Sequence, residues 1–431
     1  MKLLLIKAGK AFKTIQKDGV FRGGKRVFSA FFALFRLVGK GDILFVTGGV
    51  GDSARYRAHH VAEELEFNGF KCSITVQDNP MLSSYVDKFE VFIFHRVLFT
   101  PSVKKMIEKI KAQKKEIIFE TDDLVYDPKY LEHMDYFKTM NSLEKKLYEN
   151  GVGGEILVDP YVKICTTTTT FLAEKLRETG KKVFLVPNKL SKRDVEIAEQ
   201  ILSQKPKAHK VCKAECKNCA CHSGLDPESR PNGGDADALD PRMREDDKKV
   251  KLGYFSGTLS HNKDFATITD ALMQIMEKHE NVELFLVGPL NLESELNKFS
   301  GRIKQLPYVE REKHFSNLAS VDINLVPLEL GNPFCESKSE LKFFEAGIVG
   351  VPTVAVANQT YCEAIEDGVD GFTANGTEQW VEKLERLITD ENLRKSMGEK
   401  AREKALERYA TISAVNNDYY EYLKLKIKKD I

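Results

Sequence analysis

The sequence predicts an α/β chain made of two successive units, each a parallel sheet with helices on both faces. Short apolar strands alternate with amphipathic helices over residues 42–190, and the same rhythm restarts over 249–410. Between them, residues 203–248 lose periodicity and are rich in Pro, Gly, Asp, Lys and Cys, the composition of a disordered insertion. A length of 431 residues is more than one ordinary core organises. The expected parts are basic N-terminal helices over 1–40, a first unit over 41–190, a linker with its insertion over 191–248, a second unit over 249–410, and a terminal helix over 411–431 that packs back on the first unit.

Composition narrows the class. The chain is 42% hydrophobic and 30% charged, as in soluble globular proteins. A net charge of +1 gives no global attraction to nucleic acid, and no nucleic-acid partner is expected. Cys72, Cys165, Cys335 and Cys362 are scattered and read as reduced thiols of a cytoplasmic protein. Apolar runs fall short of the ~20 residues a spanning helix needs. The run at Leu3–Ile6 is also too short for a secretory signal. Residues 1–40 nevertheless hold ten Lys or Arg and one acid, Asp18, around the greasy stretch 30–38. Aromatic residues ringed by cations suit a helix lying on the inner membrane surface. They also suit an arm packed on the domain behind it.

In the first unit, residues 42–47 form a buried strand. Gly48, Gly49 and Gly51 follow, then a helix from about Tyr56 to Asn68, which is the opening of a Rossmann-like unit. G-G-V-G-D-S lacks the dinucleotide fingerprint, so no nicotinamide cofactor is expected. Arg55 and Arg57, near the helix start, could hold an anion. Strands follow over 71–76, 91–94, 116–120, 162–166 and 182–186. Helices over 102–113, with Pro101 at its start, and 171–179 lie between them. In such sheets ligands gather at the carboxyl ends of strands. That singles out residues 48–57, His95-Arg96, Asp122-Asp123 and Pro187-Asn188.

Cys212, Cys216, Cys219 and Cys221 stand in the linker. Their C-x3-C-x2-C spacing matches the iron–sulfur ligand pattern of radical-SAM enzymes, and the thiolates could also bind zinc. A linker is the wrong place for the former, so the cluster is a weak metal candidate beside the plainer reading of adventitious thiols. Residues 223–247 resemble peptides encoded by bacterial palindromic repeat elements, which implies an insertion with no role in a site.

The second unit opens with a strand over 250–255, a loop over 257–264 and a helix over 265–279. Strands over 282–287, 303–306 and 323–327 follow, with a helix over 311–319. The stretch 334–357 then reads as loop, helix and buried strand. Leu341, Phe344 and Ile348 form one helical stripe, and residues 351–357 are a short β run. A cation in the loop before a helix, such as Lys338, makes a phosphate seat, and a carboxylate one or two turns on can accept from sugar hydroxyls. An ordinary strand–helix unit with a solvated face fits the stretch equally well. Further helices are expected from 361, over 378–389, 391–409 and 413–427.

Several segments together resemble one family. Gly257 to Lys263, Gly288, E-S-K-S-E-L-K-F-F-E-A-G, G-V-P-T-V-A and E-A-I-E-D-G-V-D-G-F look like the C-terminal domain of GT-B glycosyltransferases of the retaining group 1, or family 4, type. Over 42–190 the glycine turn, Y-R-A and F-E-T-D-D-L-V-Y-D-P resemble N-terminal domains of that group. The resemblance implies the GT-B fold, two Rossmann-like domains facing across a cleft. It implies hexosyl transfer, with retention, from a UDP- or GDP-linked sugar to a cell-surface glycan or lipid-linked precursor. No cofactor, metal or protein base is required.

Residue by residue, the resemblance implies that Lys263 and Lys338 meet the diphosphate and that Glu345 holds the ribose; these three form the expected catalytic set. Gly257, Thr258, His261, Gly288, Glu336, Ser337, Ser339 and Glu340 are the further donor-binding candidates. The family's E-x7-E motif is departed from, since Ser337 stands eight residues before Glu345 and Glu336 nine. Arg55, Arg57, His95, Arg96, Asp122 and Asp123 are the acceptor-side candidates. The non-standard Glu spacing leaves an alternative, a catalytically lapsed nucleotide- or glycan-binding protein.

Overall fold

The computed structural model describes residues 31–134, 137, 140–146, 148–204, 249–257 and 262–427, with Gly24 and Phe28. Among the described residues, twelve strands form two parallel sheets of six. The first is ordered β2-β1-β3-β4-β5-β6 and the second β12-β11-β10-β7-β8-β9. In the first sheet, β1 (Ile43–Thr47) lies between β2 (Cys72–Val76) and β3 (Val91–His95). Outside these lie β4 (Glu116–Glu120), β5 (Ile164–Thr167) and β6 (Lys182–Leu185). In the second, β7 (Val250–Phe255) lies between β8 (Val282–Val287) and β10 (Ile323–Val326), with β9 (Ile303–Leu306), β11 (Thr353–Val356) and β12 (Phe372–Ala374) outward.

Each chain order reverses direction at its first strand. The loops after β1 and β3 therefore splay apart, as do those after β7 and β10, and each gap is a place for a ligand. Both faces of each sheet are buried, which is why the strands read as apolar runs. Leu44 and Val46 enter one core of the first sheet, while Ile43 and Phe45 enter the other. Phe285 and Val287 similarly oppose Leu284 and Leu286 in the second.

Three elements differ from the sequence expectation. The helix after β1 starts earlier, at Asp52–Ala54, and passes through a wide π turn, Arg55–His60, before Val61–Phe67. That turn buries Tyr56, Arg57 and His60 together. Residues 192–204, read from the sequence as linker, form the helix Lys192–Gln204. Its Val195, Ile197 and Ala198 join the core beneath the second sheet. The helix in the 334–357 stretch is short, Leu341–Gly347, after a separate turn at Pro333–Glu336.

Two crossings tie the halves together. Leu190 bridges Ala410, with its N–H donating to the Tyr409 carbonyl and its own carbonyl accepting from Thr411. The helix Asn417–Ile427 then returns to the first sheet. It packs Tyr419, Tyr420 and Leu423 against Phe70 and Phe184. At the other end, Asn79 donates to the Arg36 carbonyl, Lys88 to that of Val38, and Val38 is buried. The chain at 36–38 is thus an arm on the domain, while Phe28, Phe31, Phe32 and Phe35 are more than half exposed. No helix among the described residues is long and apolar enough to cross a membrane. The segment 1–23 and the cluster Cys212, Cys216, Cys219 and Cys221 lie outside the described residues.

Candidate active site

The facing ends of the two sheets enclose a cavity of about 1040 Å³. The first domain contributes residues after β1, β3 and β4. The second contributes residues after β7, β8 and β10 and the stretch 332–345. Of the residues singled out in the sequence, Arg55, Arg96, Asp122, Asp123, Gly257, Lys263, Ser337, Lys338, Ser339 and Glu345 line it. Arg57, His95, Gly288, Glu336 and Glu340 do not. Thr258 and His261 lie outside the described residues.

Arg57 corrects the sequence reading most sharply. It is fully buried and forks onto Glu120, Nε to Oε1 at 2.9 Å and Nη2 to Oε2 at 2.8 Å. Its Nη1 donates to the Val186 carbonyl and to Asn188 Oδ1. It knits β4 to the end of β6 and, fully buried, does not reach the cleft where an acceptor substrate would lie. Arg55, two residues earlier, sits on the cleft paired with Asp52 at 2.9 Å.

His95 lies behind the cleft wall. Its Nε2 is 2.8 Å from Ser53 Oγ, and Ser53 donates its one proton to Asp122 Oδ2 at 2.7 Å. His95 Nε2–H is therefore the donor to Ser53. Burial lowers the imidazole to about 3, so it is neutral. The chain His95 to Ser53 to Asp122 points protons at the carboxylate and does not prepare Ser53 as a nucleophile. Arg96 holds both aspartates, with Nε 2.6 Å from Asp122 Oδ1 and Nη2 on Asp123. Its φ of +50° is unusual for a non-glycine residue. A Cβ on Gly48 would meet the Arg96 carbonyl oxygen at 1.9 Å, so only glycine lets the two loops approach this closely. Burial raises both aspartates. Arg96 and Ser53 outweigh that at Asp122, which stays well below the usual carboxylate range, while Asp123, beside Asp122, is pushed up. Asp123 also accepts from the Val125 N–H, so it orders its own loop. No group of three or more His, Cys, Asp or Glu is placed to hold a metal among the described residues.

On the opposite wall, Gly288 has φ +99°, and a Cβ there would meet the Ser256 carbonyl oxygen at 1.9 Å. Its role is to let the ends of β7 and β8 close up. Lys338 Nζ pairs with Asp264 Oδ2 at 2.7 Å. Asp264 Oδ1 accepts from the Glu329 N–H and lies 3.1 Å from Cys335 Sγ. The two positions competing for the first glutamate of the motif part company. Glu336 accepts the Gly331 N–H and closes a turn away from the cleft, whereas Ser337 lines it, its hydroxyl donating to the Phe334 carbonyl. Glu340 is buried beside Tyr409 on the far side, its carboxyl pushed up to about 7 by burial.

Glu345 is the hub. Arg311 grips Oε1, His314 Nε2 lies 3.1 Å from Oε2, and Tyr56 of the first domain donates its hydroxyl at 2.5 Å. Burial alone would raise this carboxyl, but Arg311, His314 and Tyr56 hold it well below the usual range. Arg311 Nε also meets Asp194 Oδ1 at 2.8 Å. Sequence reasoning missed Arg311, His314, Tyr56 and Asp194. The one available signal was Arg311 and His314 at i and i+3, on one face at a helix start.

This arrangement of two facing parallel α/β domains is the GT-B fold, as the sequence predicts. Residues 240–404 match the model of a family described as "Glycosyl transferases group 1". Among solved structures, Anabaena Alr3699/HepE in complex with UDP and glucose is 14% identical with a TM-score of 0.53, covering 89% of this chain and 100% of that one. The same Anabaena protein in complex with UDP-glucose gives a TM-score of 0.52 at 14% identity and the same coverage. Sucrose-phosphate synthase from Thermosynechococcus elongatus is 11% identical with a TM-score of 0.50, covering 90% of this chain and 97% of that one. No curated protein matches the sequence.

Proposed function

We propose that the chain is a retaining group 1 glycosyltransferase of the family 4 type. It moves a hexosyl unit from a UDP- or GDP-linked donor to a cell-surface glycan or lipid-linked precursor. The observation that carries this reading is the convergence of Lys263, Lys338 and Ser337 on the second-domain wall of a cleft large enough for a nucleotide-sugar. The named complexes of the Anabaena protein with UDP and UDP-glucose support the choice of donor class.

In this reading the donor lies against the ends of β7 and β10 and the acceptor against Asp122, Arg96 and Arg55. Cations beside the departing diphosphate offset charge that grows in the transition state, and fixed charges in a water-poor cleft do this without reorganising. The leaving phosphate takes the acceptor proton on the same face of the sugar, so no protein base is assigned. Donor binding stabilises the folded state by mass action. A thermal-shift screen of UDP- and GDP-sugars tests the reading: at least one raises Tm, and a flat response to all of them contradicts it.

Lys338 reaches the cleft with its charge matched by Asp264. Lys338→Ala therefore removes a cation and also exposes a carboxylate to the diphosphate. Donor affinity is expected to fall by at least about tenfold, the loss of one charge-assisted contact. Adding Asp264→Asn to Lys338→Ala is expected to recover part of it, as read by calorimetry.

A second reading, a lapsed binding protein, is favoured by Ser337 at the motif's first position and by protein groups already filling Glu345. Donor binding without any turnover would establish it. The exposed phenylalanines at 28–35 and the cations of 1–40 support a cytoplasmic enzyme held at the inner membrane face. Binding to anionic vesicles is expected to drop when Phe31, Phe32 and Phe35 are changed together to Ser, measured by co-sedimentation.

A further inference from the structure

Lys342 was not singled out by its sequence motif, yet it is the most unusual cation of the cleft. It lines the cavity from the first turn of the helix Leu341–Gly347, four residues after Lys338. Its Nζ is shielded from solvent, has no hydrogen-bond partner among the described residues, and stands 4.4 Å from the centre of the Tyr254 ring. A shielded ammonium with three unused donors is costly unless something satisfies it. The Tyr254 ring face offers attraction but no acceptor lone pair. The neighbouring carboxylate, Asp264, is engaged by Lys338, the Glu329 N–H and the Cys335 thiol. Among the described residues no acceptor is left for Lys342, and its place in the cavity lining opens it to one carried by a ligand of the cleft.

We propose that Lys342 receives a phosphate oxygen of the nucleoside diphosphate, at the floor of the cleft between Tyr254 and the Lys338–Asp264 pair. The proposal rests on the donor reading above and deepens it. Lys338 meets the diphosphate while paired with Asp264, and Lys342 adds an ammonium whose hydrogen-bond donors are unused by the described residues. Lys342 is a binding residue for the phosphates, and the nucleoside does not depend on it.

The test is calorimetry on the full chain with UDP, UMP, GDP and GMP, comparing wild type with Lys342→Met. The expected result is a fall in diphosphate affinity of at least about tenfold, the value of one charge-assisted contact. Monophosphate affinity changes much less, so the preference for diphosphate over monophosphate collapses. Equal diphosphate binding by both proteins overturns the Lys342 assignment and leaves the donor reading standing. An equal loss for diphosphate and monophosphate overturns it too, because that is a structural effect. Failure of wild type to bind any of the four removes the donor reading itself. Lys342→Met is expected to unfold at the same or a higher temperature than wild type, because an unsatisfied charge is gone. A variant that fails to fold contradicts an ammonium without a structural partner.

Discussion

Glu345→Ala is expected to lose donor binding and to destabilise the fold together. Its carboxylate answers Arg311, His314 and the Tyr56 hydroxyl from the other domain. Breaking a buried ion pair by removing one partner costs about 3–5 kcal/mol. Arg311 keeps Asp194, so the lower end, about 3 kcal/mol, is expected from denaturant unfolding. Glu345→Gln keeps an acceptor for Tyr56 and should lose less. The pH dependence has a definite sign. A carboxyl held below its unfolded value contributes stability that is complete above about pH 4.3 and is lost as pH falls toward the folded value. The stability gap between wild type and Glu345→Ala should therefore narrow below about pH 4. A gap that is absent at pH 7 would mean that the Arg311–Glu345–Tyr56 network does not form.

Arg57→Met is expected to destabilise by about 3–5 kcal/mol, because it strands Glu120 in a fully buried site. Changing Glu120→Gln as well should recover much of that, since the remaining carboxamide can still meet Thr166 and carries no charge. Both are read by equilibrium unfolding. Whatever folded Arg57→Met remains should keep the wild-type KM for donor and acceptor, because the guanidinium never reaches the cleft. A raised acceptor KM with unchanged stability would restore the acceptor role that the sequence suggested.

The layered architecture was legible because parallel strands buried on both faces must read as apolar runs, and helices between them must carry a stripe. The resemblance to the family's motifs pointed to Lys263, Lys338 and Glu345, and all three line the cleft. What joins them was not legible. Tyr56 and Glu345 are 289 residues apart, and nothing local in either segment announces the other. Arg55 and Arg57 look alike in sequence, and only the π turn at Arg55–His60 leaves one in the cleft and buries the other. The helix Lys192–Gln204 hid among charges at the edge of an irregular segment, with its apolar stripe visible only once a core lay beneath it. Lys342 looked like part of a solvated face, and the Tyr254 ring that shields it comes from β7, almost ninety positions earlier.

The central claim is that the cleft turns over a nucleotide-sugar on its second-domain wall. The most direct measurement is the release of nucleoside diphosphate from UDP- and GDP-sugars, by wild type and by the double variant Lys263→Ala/Lys338→Ala. Release from at least one donor, reduced by about tenfold or more in the variant, is the predicted result. No release above background from any donor, or equal release by both proteins, would contradict it.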